Sequence, residues 1–272
     1  MSESILKALM QLFAIIAASK EEEAQAKTLP VVESYLLHEL RPELVEEYIN
    51  LYNSLCDELK TKQSANGKKR KVLSASSTKV LVICDAINRE LVQTQKVILL
   101  VRMLEFIKFD NPDGISQVQM DFVETIAVNF NFPANEFKSL MEFMFMSQDA
   151  IPDSENVLLV DSDYGCHHYR IKHIYSENLS GQILFFLIRS VNMHLFIFQG
   201  EEEISMNGQI LNPDRVHVIS PGASLRGPRI KKALYYSDIV STFNFDKTKS
   251  RIVYEVDKLE FKFPNGAVGL HE

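Results

Sequence analysis

Ile5, Leu6, Leu9, Leu12, Phe13 and Ile16 recur at steps of three and four residues, the spacing that gathers apolar side chains on one face of a helix. Comparable spacing continues to about residue 148 and stops near Pro152. Glycine changes at the same place. Only Gly67 and Gly114 of the ten glycines precede residue 150, because a helical bundle needs positive φ at few positions and turn-rich β structure needs it often. The expected fold is therefore α followed by β: an all-helical bundle over 1–150, then a small antiparallel β-sandwich or open barrel over 151–248.

Seven helices are expected in the first half. Ser4 is placed to cap the first. Thr28, with Pro30 in the first turn, reads as the start of the second, and Pro42 opens a third carrying Leu44, Tyr48, Leu51 and Leu55. The polar stretch Lys60–Ser77 reads as a flexible connection. Helices are then expected over Thr78 to about Leu91 and over Thr94–Phe109. Asn111-Pro112-Asp113-Gly114 is a turn, Ser116 caps the sixth helix, and Pro133 starts the last, with Phe137, Leu140, Met141 and Met144 inward.

Beyond Pro152, Val157–Val160, Tyr169–Tyr175, Ile183–Ile188, His194–Phe198, Val216–Ile219, Ala233–Tyr236 and Ile252–Phe263 are β-prone runs. Asn207-Gly208 between two of them is the residue pair preferred in type I′ hairpins. No helix of useful length is expected between 155 and 245.

A formal net charge of -7 argues against nucleic acid as partner, and the basic run Lys68-Lys69-Arg70-Lys71 beside Gly67 reads as a solvated loop. Cys56, Cys84 and Cys166 are odd in number and lack a CxxC spacing, which fits packed thiols in a reducing compartment. Neither a membrane span nor a signal peptide is read, so the expected address is cytoplasmic.

No complete active site is legible. Cys166, His167 and His168 with Asp161 and Asp163 form the one His/Cys/Asp grouping, but adjacent strand residues point to opposite faces, so no metal site is expected. Asp110 with Asp113-Gly114 lacks the carboxylate ladder of a calcium loop. GxSxG, Walker A and GxGxxG patterns do not occur, and no catalytic residue is assigned. Glu21-Glu22-Glu23 and Glu201-Glu202-Glu203 read as solvated turns.

Three resemblances give these segments roles. The helical half, with its apolar opening helix ending Ala17-Ala18 and Asp113-Gly114-Ile115-Ser116 leading into another helix, resembles the TerB-like bundles of tellurite-resistance proteins. Such bundles usually carry acidic residues at these turns; here Ser19-Lys20 and Gln117-Val118-Gln119 stand instead, so the resemblance implies the fold and not a metal. Met206-Asn207-Gly208-Gln209-Ile210-Leu211 and Ser220-Pro221-Gly222-Ala223-Ser224-Leu225-Arg226 resemble a forkhead-associated sandwich. That resemblance implies phosphothreonine recognition by loop side chains, with Ser224, Arg226 and Arg229 as the anion contacts. The fuller motif of that family, an Arg loop followed by Ser-x-x-His, is absent.

The segment Val256-Asp257-Lys258-Leu259-Glu260-Phe261-Lys262-Phe263-Pro264-Asn265-Gly266, then Gly269-Leu270-His271-Glu272, resembles the opening of an ABC transporter ATPase domain. The resemblance implies that Phe261 or Phe263 stacks on adenine. It also implies that 249–272 begins an ATPase domain cut off before its phosphate loop. ATP and magnesium would then belong to the parent protein, and this fragment would hold no cofactor. The expected function is a non-catalytic regulatory and interaction region, coupling a protein partner or signal to the ATPase at the inner face of the membrane through a membrane transporter subunit or domain, without inserting into the membrane itself. The alternatives are a phosphopeptide-binding adaptor and a metal-dependent enzyme using His167 and His168.

Overall fold

The computed structural model describes residues 3–18, 22–64, 72–110, 114–146, 151–164, 170–213, 215–245, 261–264 and 268–270. Seven helices come first: α1 (Glu3–Ala18), α2 (Glu22–Glu39), α3 (Pro42–Ser64), α4 (Val72–Glu90), α5 (Gln93–Asp110), α6 (Gln117–Asn129) and α7 (Ala134–Met144). A β region follows, so the α-then-β architecture is observed.

Helix α1 is apolar over most of its circumference, and Leu9, Met10, Leu12, Phe13, Ala14 and Ile16 are all buried. Such a helix can be satisfied only at the centre of a bundle, and α1 packs against α2, α3, α4 and α5. Phe13 links two neighbours, meeting Tyr35 of α2 edge-on at 5.7 Å and stacking on Phe106 of α5 at 4.5 Å. Ser116 forms a full capping box with Gln119 at the start of α6.

Three boundaries differ from expectation. Helix α2 begins at Glu22, so Pro30 lies inside it and Thr28 is not its start. The Thr28 hydroxyl is fully buried and shares a hydrogen bond of 2.7 Å with the Tyr52 hydroxyl on α3, so tertiary pairing takes the group that a cap would have used. Helices α3 and α4 likewise extend into the polar stretch, to Ser64 and from Val72.

The strands are β1 (Val157–Asp161), β2 (Lys172–Tyr175), β3 (Gln182–Ile188), β4 (Met193–Gln199), β5 (Ser205–Met206), β6 (Gln209–Ile210), β7 (Val216–Ile219), β8 (Ser224–Arg226) and β9 (Leu234–Tyr235). Strands β10 (Phe261–Lys262) and β11 (Val268–Leu270) form a separate antiparallel pair. The larger sheet runs β2-β1-β3-β4-β7 and the smaller β6-β5-β8-β9. The larger one is mixed rather than purely antiparallel, since β1 and β2 are parallel. Asn207 and Gly208 both take positive φ, 53° and 85°, in the turn between β5 and β6, as the type I′ reading requires. Gly181 is needed for a different reason: a Cβ there would lie 2.1 Å from the Gln199 carbonyl oxygen on the neighbouring strand.

The expectation of no useful helix between 155 and 245 is overturned. Helix α8 (Tyr236–Asn244) follows β9 directly and buries Ile239 and Phe243. Those two apolar side chains, four residues apart, are enough to fix a two-turn helix when a sheet waits beneath it. Its C-terminal carbonyls are capped from outside. The Lys172 ammonium on β2 donates to Thr242 O at 3.0 Å, to Phe245 O at 3.3 Å and to Phe243 O.

The central sheet is buried on both faces. Ile183, Phe185 and Leu187 of β3 point into a core shared with Ile204, Leu225 and Ile239. Leu184, Phe186 and Ile188 point the other way, into the same apolar cluster as Phe13, Phe106 and Phe143 of the bundle. Phe143 of α7 stacks on Phe186 at 5.0 Å. The helical layer, the larger sheet and the smaller sheet with α8 therefore form three successive layers with two cores.

Candidate functional site

The seam between bundle and sheet holds both a polar clamp and a cavity. On α5, Arg102 and Glu105 lie one turn apart and their side chains meet at 2.6 Å. The Arg102 guanidinium also donates to the Val216 carbonyl of β7 at 2.9 Å, and Glu105 Oε1 accepts from the Val216 N–H at 2.7 Å. Both backbone groups of one edge-strand residue are thus satisfied by one ion pair on a helix. Arg102 and Glu105 are largely buried, so each requires the other, and the pair fixes the position of β7 against α5. A second, exposed clamp lies on α7. Glu136 accepts from Ser190 N at 2.9 Å and from Ser190 Oγ at 2.6 Å, holding the link between β3 and β4.

Beside the first clamp is a cavity of about 440 Å³. Its apolar wall comes from the helical layer and the larger sheet: Phe13 and Tyr35 from α1 and α2, Phe106 and Phe109 from α5, Met144 from α7 and Ile197 from β4. Its polar side carries Arg102, Glu105, Lys108 and Arg215. Arg215 approaches Glu105 only to 3.9 Å, an ion pair too long to be a hydrogen bond. Ser34 lines the cavity and also a shallower groove bordered by Leu37 and Asn212, so the two depressions adjoin. Sequence reading did not find this site. Glu105 and Arg215 are too far apart in the chain for any motif, and only the fold brings them together.

The residues assigned from the sequence lie elsewhere. Ser224 and Arg226 occupy β8, with Leu225 buried between them, so both face outward from the smaller sheet. They belong to a strand, correcting the expectation of loop positions. The Ser224 N–H donates to Asn207 Oδ1 at 3.1 Å. Arg229 is exposed in the following loop and sits 3.7 Å from Glu202. Glu202 corrects the reading of its acidic run as solvated: its side chain is only 9% exposed and accepts from Ser180 N at 2.8 Å. Phe261 and Phe263 stand on and just after β10, and Phe263 is 49% exposed. Cys166, His167 and His168 lie outside the described residues, as does the basic run 68–71. Among the described residues no cluster of three or more His, Cys, Asp or Glu is placed to hold a metal ion.

The two cysteines that are described are packed thiols. Burial raises the Cys56 thiol and pushes the Cys84 thiol up to about 12, which leaves neither poised as a thiolate nucleophile near neutral pH. His194 of β4 is buried against Tyr236 and Phe243 of α8, and desolvation holds its imidazole below the ordinary value.

No protein-family model matches the chain, and neither a curated protein nor a solved structure is significantly similar to it. Among the described residues, no helix is long and apolar enough to cross a membrane.

Proposed function

We propose that this chain is a non-catalytic sensing and coupling region of an ABC transporter ATP-binding protein, acting in the cytoplasm at the inner face of the membrane. A protein partner or signal engages the helical layer, and the sheet relays its state to an ATPase domain outside these residues. The observation that carries this reading is the single apolar cluster running from α1 through α5 and α7 into β3 and β4. Layers joined in this way shift between alternative packings together, so an event at one surface changes the population of states at another. The antiparallel pairing of β10 with β11 and the exposure of Phe263 support the assignment of that segment to an adenine-stacking strand. ATP and magnesium would be held by the ATPase domain, with Phe261 or Phe263 contributing an aromatic face.

The coding sequence after Glu272 tests this directly. A GxxxxGK[ST] motif within roughly 30 codons is expected, and a stop codon in its place removes the ATPase reading. In the longer protein, Glu105→Gln should change the ATPase rate, and an unchanged rate would remove the coupling.

Ser224 and Arg226 on one outward face favour a second reading, a phosphothreonine-binding adaptor. It requires saturable binding of a phosphothreonine peptide that Arg226→Ala abolishes; a flat titration with the wild-type chain ends it.

A further inference from the structure

The two edges of the larger sheet are finished differently. At β7, Arg102 and Glu105 take up the outward C=O and N–H of Val216. At the other edge, β2 has β1 as its one strand neighbour among the described residues. The Ser176 N–H, just past β2, donates to the Asp161 carbonyl of β1 at 2.7 Å, and along a parallel ladder alternate residues bond to the same side. Lys172 and Ile174 therefore turn their backbone groups to β1, and His173 and Tyr175 turn theirs away from the sheet.

Edge strands are commonly blunted by a charge, a proline or a bulge. None of these blunts β2. It contains no proline, its register against β1 is unbroken, and the ammonium of its one lysine is bound to the carbonyls that end α8. Two exposed rings stand beside it: Tyr175 is 45% exposed, and Tyr164, 82% exposed, meets it edge-on at 5.3 Å. Tyrosines in water beside an open strand edge have the composition of an interface.

We propose that β2 is a homodimer edge: a second copy of this chain adds its own β2 antiparallel to the first, about a twofold axis at Ile174, joining two five-stranded sheets into one. In that register His173 of each copy lies opposite Tyr175 of the other as a hydrogen-bonded pair. Every outward N–H and C=O of the strand then has a partner, and each His173 ring has a Tyr175 ring across from it. Arg170, exposed before the strand, comes beside Glu177 of the other copy, exposed just after it, so opposite charges meet at each end. A strand that complements itself in this way selects a second copy over an unrelated peptide. The capped β7 edge stops further chains from adding, so the assembly closes at two. A strand of 4 residues a side makes a small, reversible interface. The pairing stands on the sheet edge alone and holds whether or not an ATPase domain follows.

Sedimentation equilibrium of the full chain between about 5 and 200 µM should show monomer and dimer in exchange, with no larger species. Tyr175→Pro removes an outward N–H that β1 does not use, so the ladder inside the chain survives. It should weaken the dimer about tenfold or more, because each dimer loses two backbone hydrogen bonds and both ring pairs. Ile174→Cys reads the register without any proline. On the axis the two Cα atoms lie about 4.5 Å apart, within the span of a disulfide. Oxidation with diamide should link this variant into a dimer to a greater extent than the wild-type chain or Val82→Cys, whose position on α4 is 66% exposed. A single-chain mass at every concentration, growth beyond two chains, or a dimer indifferent to Tyr175→Pro would overturn the proposal. Linkage of Ile174→Cys no greater than that of the controls would overturn the twofold pairing.

Discussion

Glu105 on α5 accepts the backbone N–H of Val216 on β7 at 2.7 Å, across a separation of 111 residues. The same carboxylate holds Arg102, whose guanidinium takes the Val216 carbonyl, so helix and strand are joined by a closed ring of polar contacts inside a mostly apolar seam.

Removing one member of that ring strands the others. Glu105→Ala leaves a largely buried guanidinium without its counter-charge and a backbone N–H without its acceptor, and should lower unfolding stability by about 3 kcal/mol in urea titrations. The double variant Arg102→Met, Glu105→Leu should lose clearly less than Glu105→Ala, because no charge is then left buried alone. Equal losses would mean that the pair acts through packing only.

Phe185 and Phe186 are neighbours on β3 that serve different cores. Truncating either to alanine should cost about 3–5 kcal/mol. The two should separate by amide exchange. Phe186→Ala should loosen α7, whose Phe143 stacks on it, whereas Phe185→Ala should loosen β8 and α8. Identical exchange patterns would show that the layers open as one unit.

Lys172→Met removes the donor that satisfies three carbonyls at the end of α8. A loss of about 1–2 kcal/mol is expected, with faster exchange confined to the last turn of that helix. Arginine at the same position should recover part of the loss, which a purely steric role for the lysine stem would not explain.

His194 should make the β half acid-sensitive. Its folded-state pKa is depressed by burial, so in acid the unfolded chain binds the proton more readily. The stabilising contribution of the neutral ring is complete above the ordinary imidazole value of about 6.5, and is lost as pH falls through that value toward the depressed one. Thermal melts between pH 7.5 and pH 5 should show a decline that His194→Phe reduces. A variant with the same slope as the wild type would assign the acid sensitivity to other groups.

The elements most legible in the sequence were those whose residues carry their own signal. Val216–Ile219 is a strand over the very residues expected, and Asn207-Gly208 makes the expected turn, because β-branched runs and positive-φ pairs report local conformation. Ile183–Ile188 is a β-prone run whose apolar residues do not alternate with polar ones, the pattern of a strand buried on both faces. What covered each face was not legible, because the partners of Leu184 and Phe185 come from opposite ends of the chain. Helix α8 was missed because only Ile239 and Phe243 mark its period, directly after a strand. Thr28 misled as a helix start because its burial against Tyr52 is a tertiary event. The seam cavity left no local trace, since Arg215, the charged lining residue outside α5, is far in sequence from Arg102, Glu105 and Lys108.

The double burial of β3 and β4 has a practical consequence for anyone who would divide this molecule. Expressed without the helices, residues 151–245 would turn Leu184, Phe186, Ile188, Leu195 and Ile197 to water as one continuous apolar sheet face. Such a surface favours self-association, and the helices expressed alone would have lost the floor on which α5 and α7 rest. Where the chemistry of the chain changes most abruptly, from helix to strand, the folded protein is least separable.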